Sequence, residues 1–327
     1  MCHDNPVQQS SPLAAPVAAE LEAHRGELNV YCYRMLGSPF EAEDAVQETL
    51  LRAWRGIGRF EGRAALRSWL YRIATNVCLD QLNGRERRAR PMDLGPAREP
   101  ELANLTMLPT ATWIEPTPER DPAEIAAGRE TIRLAFVAAL QLLPPRQRAA
   151  LILCKVLHWQ AAEVAELLDT SVASVNSALQ RARATLAASK ATSADPLPEL
   201  DQADRELLDR YVEAFERYDL EALTALIHED ATQSMPPYDL WLRGRNDILA
   251  FWFGPGIGCS GSRVLPTVAA NGSPAFGQYK PAESGSGYEP WALQVVELSA
   301  GRIEEFTFFL DTERLFPLFG LPARLDA

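Results

Sequence analysis

The run from Phe40 to Arg90, FEAEDAVQETLLRAWRGIGRFEGRAALRSWLYRIATNVCLDQLNGRERRAR, constrains this chain most, because it demands two helices with differently charged outer faces. Ala42, Ala45, Val46, Thr49, Leu50, Ala53 and Trp54 recur at three and four residues and predict one buried stripe. Asp44, Gln47, Glu48 and Arg52 then lie outside it. Leu66, Trp69, Leu70, Ile73, Val77 and Leu82 predict a second helix, which leaves Arg72, Asn76, Asp80 and the terminal Arg85, Arg87, Arg88 and Arg90 on or near its open side. Gly56, Gly58 and Gly62 stand between the two, in a loop able to approach a ligand closely. Carboxylates on the first half and arginines on the second imply two different partners.

The order of residues adds more than the charges do. EDAVQETLLRAWR followed by RSWLYRIATNVCLDQL resembles, in register throughout, region 2 of the extracytoplasmic-function (ECF) sigma factors, bacterial subunits that direct RNA polymerase to promoters. The resemblance implies that Asp44, Gln47, Glu48 and Arg52 face the clamp coiled coil of the largest polymerase subunit. It assigns the following loop and helix to the promoter −10 element, through Phe60, Ser68, Trp69, Arg72, Asn76, Arg85, Arg87 and Arg88. In related sigma factors this loop holds a flipped-out base, which costs unstacking and needs a shaped pocket.

A chain of 327 residues, 47% of them apolar, suggests two or three domains with packed cores. Residues 1–15 read as a flexible N-terminus, without the basic start and apolar run of a signal peptide. No stretch approaches the roughly 18 apolar residues of a membrane span. Cys2, Cys32, Cys78, Cys154 and Cys259 are scattered and lack CxxC spacing, so the expectation is a cytoplasmic chain with no disulfide, metal or other cofactor.

The net charge of −12 would count against nucleic acid as a partner, since binding a polyanion needs basic side chains. It is, however, confined to one part of the chain. Residues 195–327 hold 10 Lys plus Arg against 22 Asp plus Glu, whereas residues 63–90 carry seven Arg against two acids and residues 145–194 six basic against three acidic residues. Two local basic patches stand beside one acidic domain.

Residues 16–90 therefore read as a helical sigma region 2, opening with a helix over 16–36 that ends at Gly37-Ser38-Pro39. Residues 91–120 are a Pro-rich acidic linker, which composition reads as a disordered tether and the resemblance as a segment threading toward the polymerase active centre. Leu105, Met107, Leu108, Trp113 and Ile114 are more apolar than an idle tether needs.

Residues 121–190 predict a second helical unit: a helix through Ile125, Ile132, Phe136, Val137 and Leu140, another over 146–157, then a helix-turn-helix in QAAEVAELLDTSVASVNSALQRARATL. Ala162, Val164, Ala165 and Leu168 would pack against Val172, Val175 and Leu179. Ser171, Ser174, Asn176, Ser177, Gln180, Arg181 and Arg183 avoid that stripe and offer donors to phosphates and groove edges, with Ser171 and Ser174 placed to cap the second helix. LPPRQRAALIL with SVASVNSALQRARATL resembles region 4 of the same family, which implies contact with the −35 element and the polymerase flap.

After a short linker at 191–200 the composition shifts, and 17 of the 27 aromatic residues lie beyond Asp195. LLDRYVEAFERYDLEALTALIHEDA predicts two helices joined near Tyr218-Asp219, with His228-Glu229-Asp230 at the end of the second. Strands are predicted around 264–270, 275–279, 291–298 and 303–309, the last two flanking a hairpin at Ser299-Ala300-Gly301. Residues 201–327 resemble the SnoaL-like branch of the NTF2-like superfamily, an α+β cone. The fold class expected is thus two all-α sigma domains followed by that cone.

The NTF2-like superfamily includes enzymes, and His228, Glu229, Asp230, Asp239 and Asp311 are residues of a type to serve as a general base. None fits a catalytic motif, so the expectation is a non-enzymatic regulatory domain with a possible small-molecule ligand, in a sigma factor whose partners are core RNA polymerase and promoter DNA. The alternatives are a one-component helix-turn-helix regulator, which leaves EDAVQETLLRAWR without a role, and an NTF2-like enzyme carrying a DNA-binding module.

Overall fold

The computed structural model describes residues 14–60, 65–119, 133–188, 200–283 and 285–326. Along the chain come helices α1 (Ala14–Glu22), α2 (Arg25–Leu36), α3 (Pro39–Gly56), α4 (Leu66–Leu82), α5 (Leu134–Gln141), α6 (Pro145–Leu151), α7 (Ala161–Leu167), α8 (Val172–Ala188), α9 (Gln202–Arg217) and α10 (Leu220–Leu226). Strands β1 (Ile227–Ser234) and β2 (Trp241–Arg243) precede α11 (Arg245–Phe253), and β3 (Arg263–Ala270), β4 (Ser273–Pro281), β5 (Tyr288–Ser299) and β6 (Arg302–Phe309) lead to α12 (Thr312–Leu318). Two compact units result: the chain up to Arg85 with Leu143–Thr185, and Glu86–Leu142 with the chain from Leu186.

In the first unit, α2, α3 and α4 bury Leu28, Tyr31, Cys32 and Met35 against Ala42, Ala45, Val46, Leu70, Ala74 and Val77. The helix expected over 16–36 is two helices. They part where Gly26 lowers helix propensity and His24 Nδ1 pairs with Glu27 at 2.6 Å. Gly37 closes α2 at φ 74°, and Ser38 opens α3 by accepting the amide of Glu41, with Pro39 in the first turn. Trp54 departs from its predicted stripe and is 42% exposed beside the half-exposed Leu51.

Sequence-distant helices join the same unit. The helix expected over 146–157 is α6 followed by a π-helical turn, Ile152–Val156. The helix-turn-helix forms as expected, with Val164, Ala165, Leu168, Val175 and Leu179 buried, while Ala162 and Val172 are exposed. The part of the preceding predicted helix that carries Ile125 and Ile132 lies outside the described residues.

The second unit is built on a sheet of order β2-β1-β6-β5-β4-β3, with β1 parallel to β6 and the other neighbours antiparallel. Helices α9, α10 and α11 cover one face and bury Tyr211, Phe215, Leu223 and Trp252 against Val296, Phe306 and Phe308. Ala300 and Gly301, at φ 50° and 71°, make the tight β5–β6 turn that twisted hairpins favour. His228, Glu229 and Asp230 do not end a helix but open β1, which the sequence did not predict.

The linker is ordered on this unit. Arg98 N–H donates to Trp241 O (3.1 Å) and Leu108 N–H to Pro237 O (3.0 Å), while Asp239 N–H donates to Thr106 O (3.0 Å) and the Trp241 indole to Gly95 O (2.8 Å). Trp113 and Ile114 are each 2% exposed, and that buried apolar surface offsets the ordering entropy a tether would keep. The tether reading of residues 91–120 therefore fails over the described part, 91–119.

Candidate polymerase and promoter interfaces

Helix α3 presents Asp44, Glu48 and Arg52 four residues apart in one row, with Gln47 beside it. Asp44, Gln47 and Arg52 are exposed. Glu48 accepts from Arg52 Nε at 2.6 Å, and Arg52 also reaches Asp80 of α4 at 3.5 Å. Such solvent-exposed pairs contribute about 0–1 kcal/mol to stability, so the row is free to serve binding. Periodicity missed its apolar neighbour: Leu50, Leu51 and Trp54 line a cavity of about 300 Å³ with Leu21 and Arg25.

The loop after α3 is shaped by a ring contact. Phe60 lies 5.1 Å from Trp69, and a Cβ on Gly56 would come within 3.2 Å of that indole, so Gly56 permits the close approach. Trp69 and Ser68 are half-buried, and Asn76, Arg85 and Arg87 are exposed. Arg85 pairs with Glu41 at 2.8 Å.

Two of the predicted −10 arginines are engaged elsewhere. Arg72 donates to the backbone carbonyl of Glu166 (3.0 Å) and to its carboxylate (3.4 Å), on α7 of the helix-turn-helix. Arg88 is 8% exposed; its guanidinium donates to the carbonyls of Thr110 and Trp113 and lies 3.7 Å from Glu115. In this conformation Arg88 fastens the linker and is not a surface residue, a non-local use that a basic run does not reveal.

Sequence reasoning also missed the residues that hold α4 to the C-terminal helices of its unit. Trp159 packs 5.2 Å from Tyr71, and Arg67 lies over both rings at 5.8 and 5.2 Å. Arg148 of α6, 2% exposed, donates to Met35 O at the end of α2 and to Leu143 O (3.1 Å). Burial holds its guanidinium down to about 10, still far above neutrality, so it stays charged. The only advance signal was the unexplained aromatic Trp159 ahead of the helix-turn-helix.

The α8 face is arranged differently. Ser171 Oγ accepts the amide of Ser174 at 3.1 Å and caps the helix. Ser171, Ser174, Asn176, Ser177, Gln180, Arg181 and Arg183 are all exposed, a continuous row of donors beginning at a helix N-terminus.

In the second unit, the residues of a type for catalysis do not converge. His228 is half-buried and Glu229 and Asp230 are exposed on β1; Asp239 pairs with Arg98 (2.8 Å) and Asp311 with Arg314 (3.3 Å). The interior polar groups are amides and hydroxyls bonded to one another: Trp252 to Gln233 (2.5 Å), Tyr211 to Gln294 (2.8 Å), Gln294 to Gln278 (3.0 Å) and Gln278 to Ser262 (3.1 Å). Among the described residues no group of three or more His, Cys, Asp or Glu is placed to share a metal ion, and no helix is long and apolar enough to cross a membrane.

Residues 21–88 match the Sigma-70 region 2 family, residues 133–186 Sigma-70 region 4, and residues 208–306 the SnoaL-like domain family. The chain is 45% identical over 316 residues to the ECF RNA polymerase sigma factor SigG of Mycobacterium tuberculosis, an alignment covering 94% of this chain and 84% of that one. It is 33% identical over 215 residues to SigJ of the same organism, covering 65% and 63%. The crystal structure of M. tuberculosis SigJ shares the fold, with a TM-score of 0.61 at 22% identity over 93% of this chain and 99% of its own.

Proposed function

The chain belongs to the ECF RNA polymerase sigma factors, promoter-specificity subunits of core polymerase, and from that premise we propose that its free form is closed, with its helix-turn-helix masking its own −10 surface. The Arg72–Glu166 contact carries this reading. Promoter elements at −10 and −35 lie about 25 base pairs apart, or about 85 Å along B-form DNA. Two readers touching at 3.4 Å cannot both reach them. Transcription then requires α4 and the helix-turn-helix to separate on core polymerase.

Within this reading, residues 16–90 supply Asp44, Gln47, Glu48 and Arg52 to the polymerase clamp and Phe60, Ser68, Trp69, Arg72, Asn76, Arg85 and Arg87 to the −10 strand. Trp54, a large exposed aromatic beside the acidic row, is placed as an apolar anchor for the same clamp surface. Residues 121–190 read the −35 element through the exposed α8 row. Residues 201–327 regulate by holding the linker.

Two experiments test it. Arg72→Cys with Glu166→Cys, joined by a short cleavable bismaleimide, should give a chain that loses the run-off activity of the unjoined double variant and regains it when the link is cleaved; undiminished activity of the joined chain sinks the closed-state reading. Asp44→Lys with Glu48→Lys should weaken binding to core polymerase at least tenfold with the circular dichroism spectrum unchanged, and wild-type affinity would remove α3 from the interface.

A further inference from the structure

We propose that the cavity between the linker and the C-terminal sheet binds an uncharged planar aromatic molecule, and that the bound molecule fastens the linker to the domain. Strand β6 explains why an apolar wall faces the linker. Phe306 and Phe308 pack into the core beneath the helices, so the alternation of a strand sends Phe309 to the opposite face. Phe309, Trp291 and Tyr238 of the domain then meet Met107 and Trp113 of the linker around a hollow of about 370 Å³. That volume falls within the roughly 300–1,000 Å³ of small-ligand sites.

The charges around the hollow cancel one another, and that sets the ligand class. Its two carboxylates, Glu115 and Asp311, are both held by Arg314, at 2.8 and 3.3 Å, and Arg88 lies 3.7 Å from Glu115. Two acids thus face two guanidinium groups, and among the described lining residues there is no Lys or Arg. A charged ligand entering here loses its hydration and finds no free counter-charge in return. An uncharged ring loses little, gains apolar contact and has aromatic walls to stack on. Lys280 Nζ already sits 3.3 Å from the ring centroid of Trp291, so one face of that indole is taken and a second cation is repelled. Thr110 and Tyr238 add hydroxyls able to bond one ring heteroatom.

Because Met107 and Trp113 belong to the linker, a bound molecule touches both sides and binds only the docked arrangement. At a hundred times its dissociation constant it favours docking about a hundredfold. Its effect on transcription rests on the reading that residues 201–327 regulate by holding the linker. Binding itself does not, and it is measured without transcription, so the two can fail separately.

The test uses the full chain and three probes of nearly one shape: quinoline, uncharged at neutral pH, N-methylquinolinium as cation and quinoline-2-carboxylate as anion. Titration followed by saturation-transfer NMR should show quinoline binding saturably and at least about tenfold tighter than either ion. Arg314→Gln, at an exposed position, uncovers Asp311 and should strengthen N-methylquinolinium at least about fivefold while leaving quinoline unchanged. Thr110→Trp, which fills the hollow from an exposed linker position, should abolish binding. Hydrogen exchange at the Leu108 amide, bonded to Pro237 O at 3.0 Å, should slow as quinoline saturates. Saturable binding with slowed exchange but unchanged run-off transcription upholds the proposal and counts against regulation through the linker. Absence of saturable binding, equal affinity for the three probes, an unaltered ion preference in Arg314→Gln, indifference to Thr110→Trp, or unchanged exchange at Leu108 would each overturn it.

Discussion

Arg148 and Arg98 each fasten one stretch of this chain to another, but they work in different surroundings. Arg148 is 2% exposed and donates to the main-chain carbonyls of Met35 and Leu143. Arg98, its side chain 38% exposed, grips both oxygens of Asp239 at 3.3 and 2.8 Å, and the linker seam repeats the pattern in Arg314–Glu115, while Arg133 pairs with Glu297 elsewhere in the same unit. A buried cation held by carbonyls responds little to salt or to pH near neutrality, whereas a seam of carboxylates and guanidinium groups near the surface responds to both. The helical unit is thus closed by packing, whereas the linker adds a charged seam to its buried Trp113 and Ile114, so salt and pH should loosen the linker more.

The largest expected effect tests the first half of that contrast. Arg148→Ala leaves two buried carbonyls without their guanidinium, and a buried hydrogen bond to a charged group is worth about 1.5–3 kcal/mol. Urea unfolding followed through the helical unit should show a loss of about 3 kcal/mol, with the second unit unchanged. A loss under about 1 kcal/mol would mean that Arg148 is not what holds α6 to α2.

The second effect tests the seam. Glu305 on β6 pairs in register with Glu297 on β5, and burial, then repulsion from Glu297, pushes its carboxyl up to about 7 against the pull of Arg90. Arg133 at 2.8 Å from Glu297, Asp93 bonded to Arg90, and Glu304 complete the charged surroundings. A carboxyl whose folded pKa exceeds its unfolded value takes up its proton more readily when folded, so stability rises as pH falls from 8 through 7 and levels off below about 4.5. Because Glu305 is only half-buried, solvent screening reduces the full shift to about 1–2 kcal/mol. Differential scanning calorimetry at pH 8 and pH 5.5 should show that gain in the second unit, and Glu305→Gln should remove it. Arg148 keeps its proton across this range, so its clamp should not contribute; an equal pH response in Arg148→Ala and wild type of the helical unit would agree.

How much of this was legible depended on whether a residue's partner was local. The helix-turn-helix and the β5–β6 hairpin follow from periodicity, caps and turn residues within a few positions, and both formed where expected. Strand β1 escaped because its buried positions include the consecutive polar residues Gln233 and Ser234, 3% and 2% exposed and on opposite faces; Gln233 is bonded to Trp252, so its polar side chain hides a buried position from any apolar-alternation argument. Trp54 was read inward because helical spacing fixes a direction but not what covers it. Arg88, Arg148 and Glu166 take their roles from partners 22, 113 and 94 residues away, and no spacing within the sequence encodes those meetings. The apolar residues of the linker were the exception, since Trp113 and Ile114 signalled burial before the surface they bury against was known.

The smallest effect is the most discriminating. Arg72 and Glu166 carry the contact that masks the −10 surface, yet their side chains are 45% and 78% exposed, and a pair so placed is worth at most about 1 kcal/mol. Glu166→Ala removes the carboxylate but keeps the carbonyl that also accepts from Arg72, and it leaves Trp159 against Tyr71 and Arg148 against Met35. If closure rests on packing, Glu166→Ala should shift the closed–open balance by no more than about fivefold, read as the sigma concentration needed for half-maximal run-off transcription. Raising salt should add nothing further. A shift of a hundredfold, or one abolished by high salt, would make the helical closure electrostatic after all and erase its difference from the linker seam.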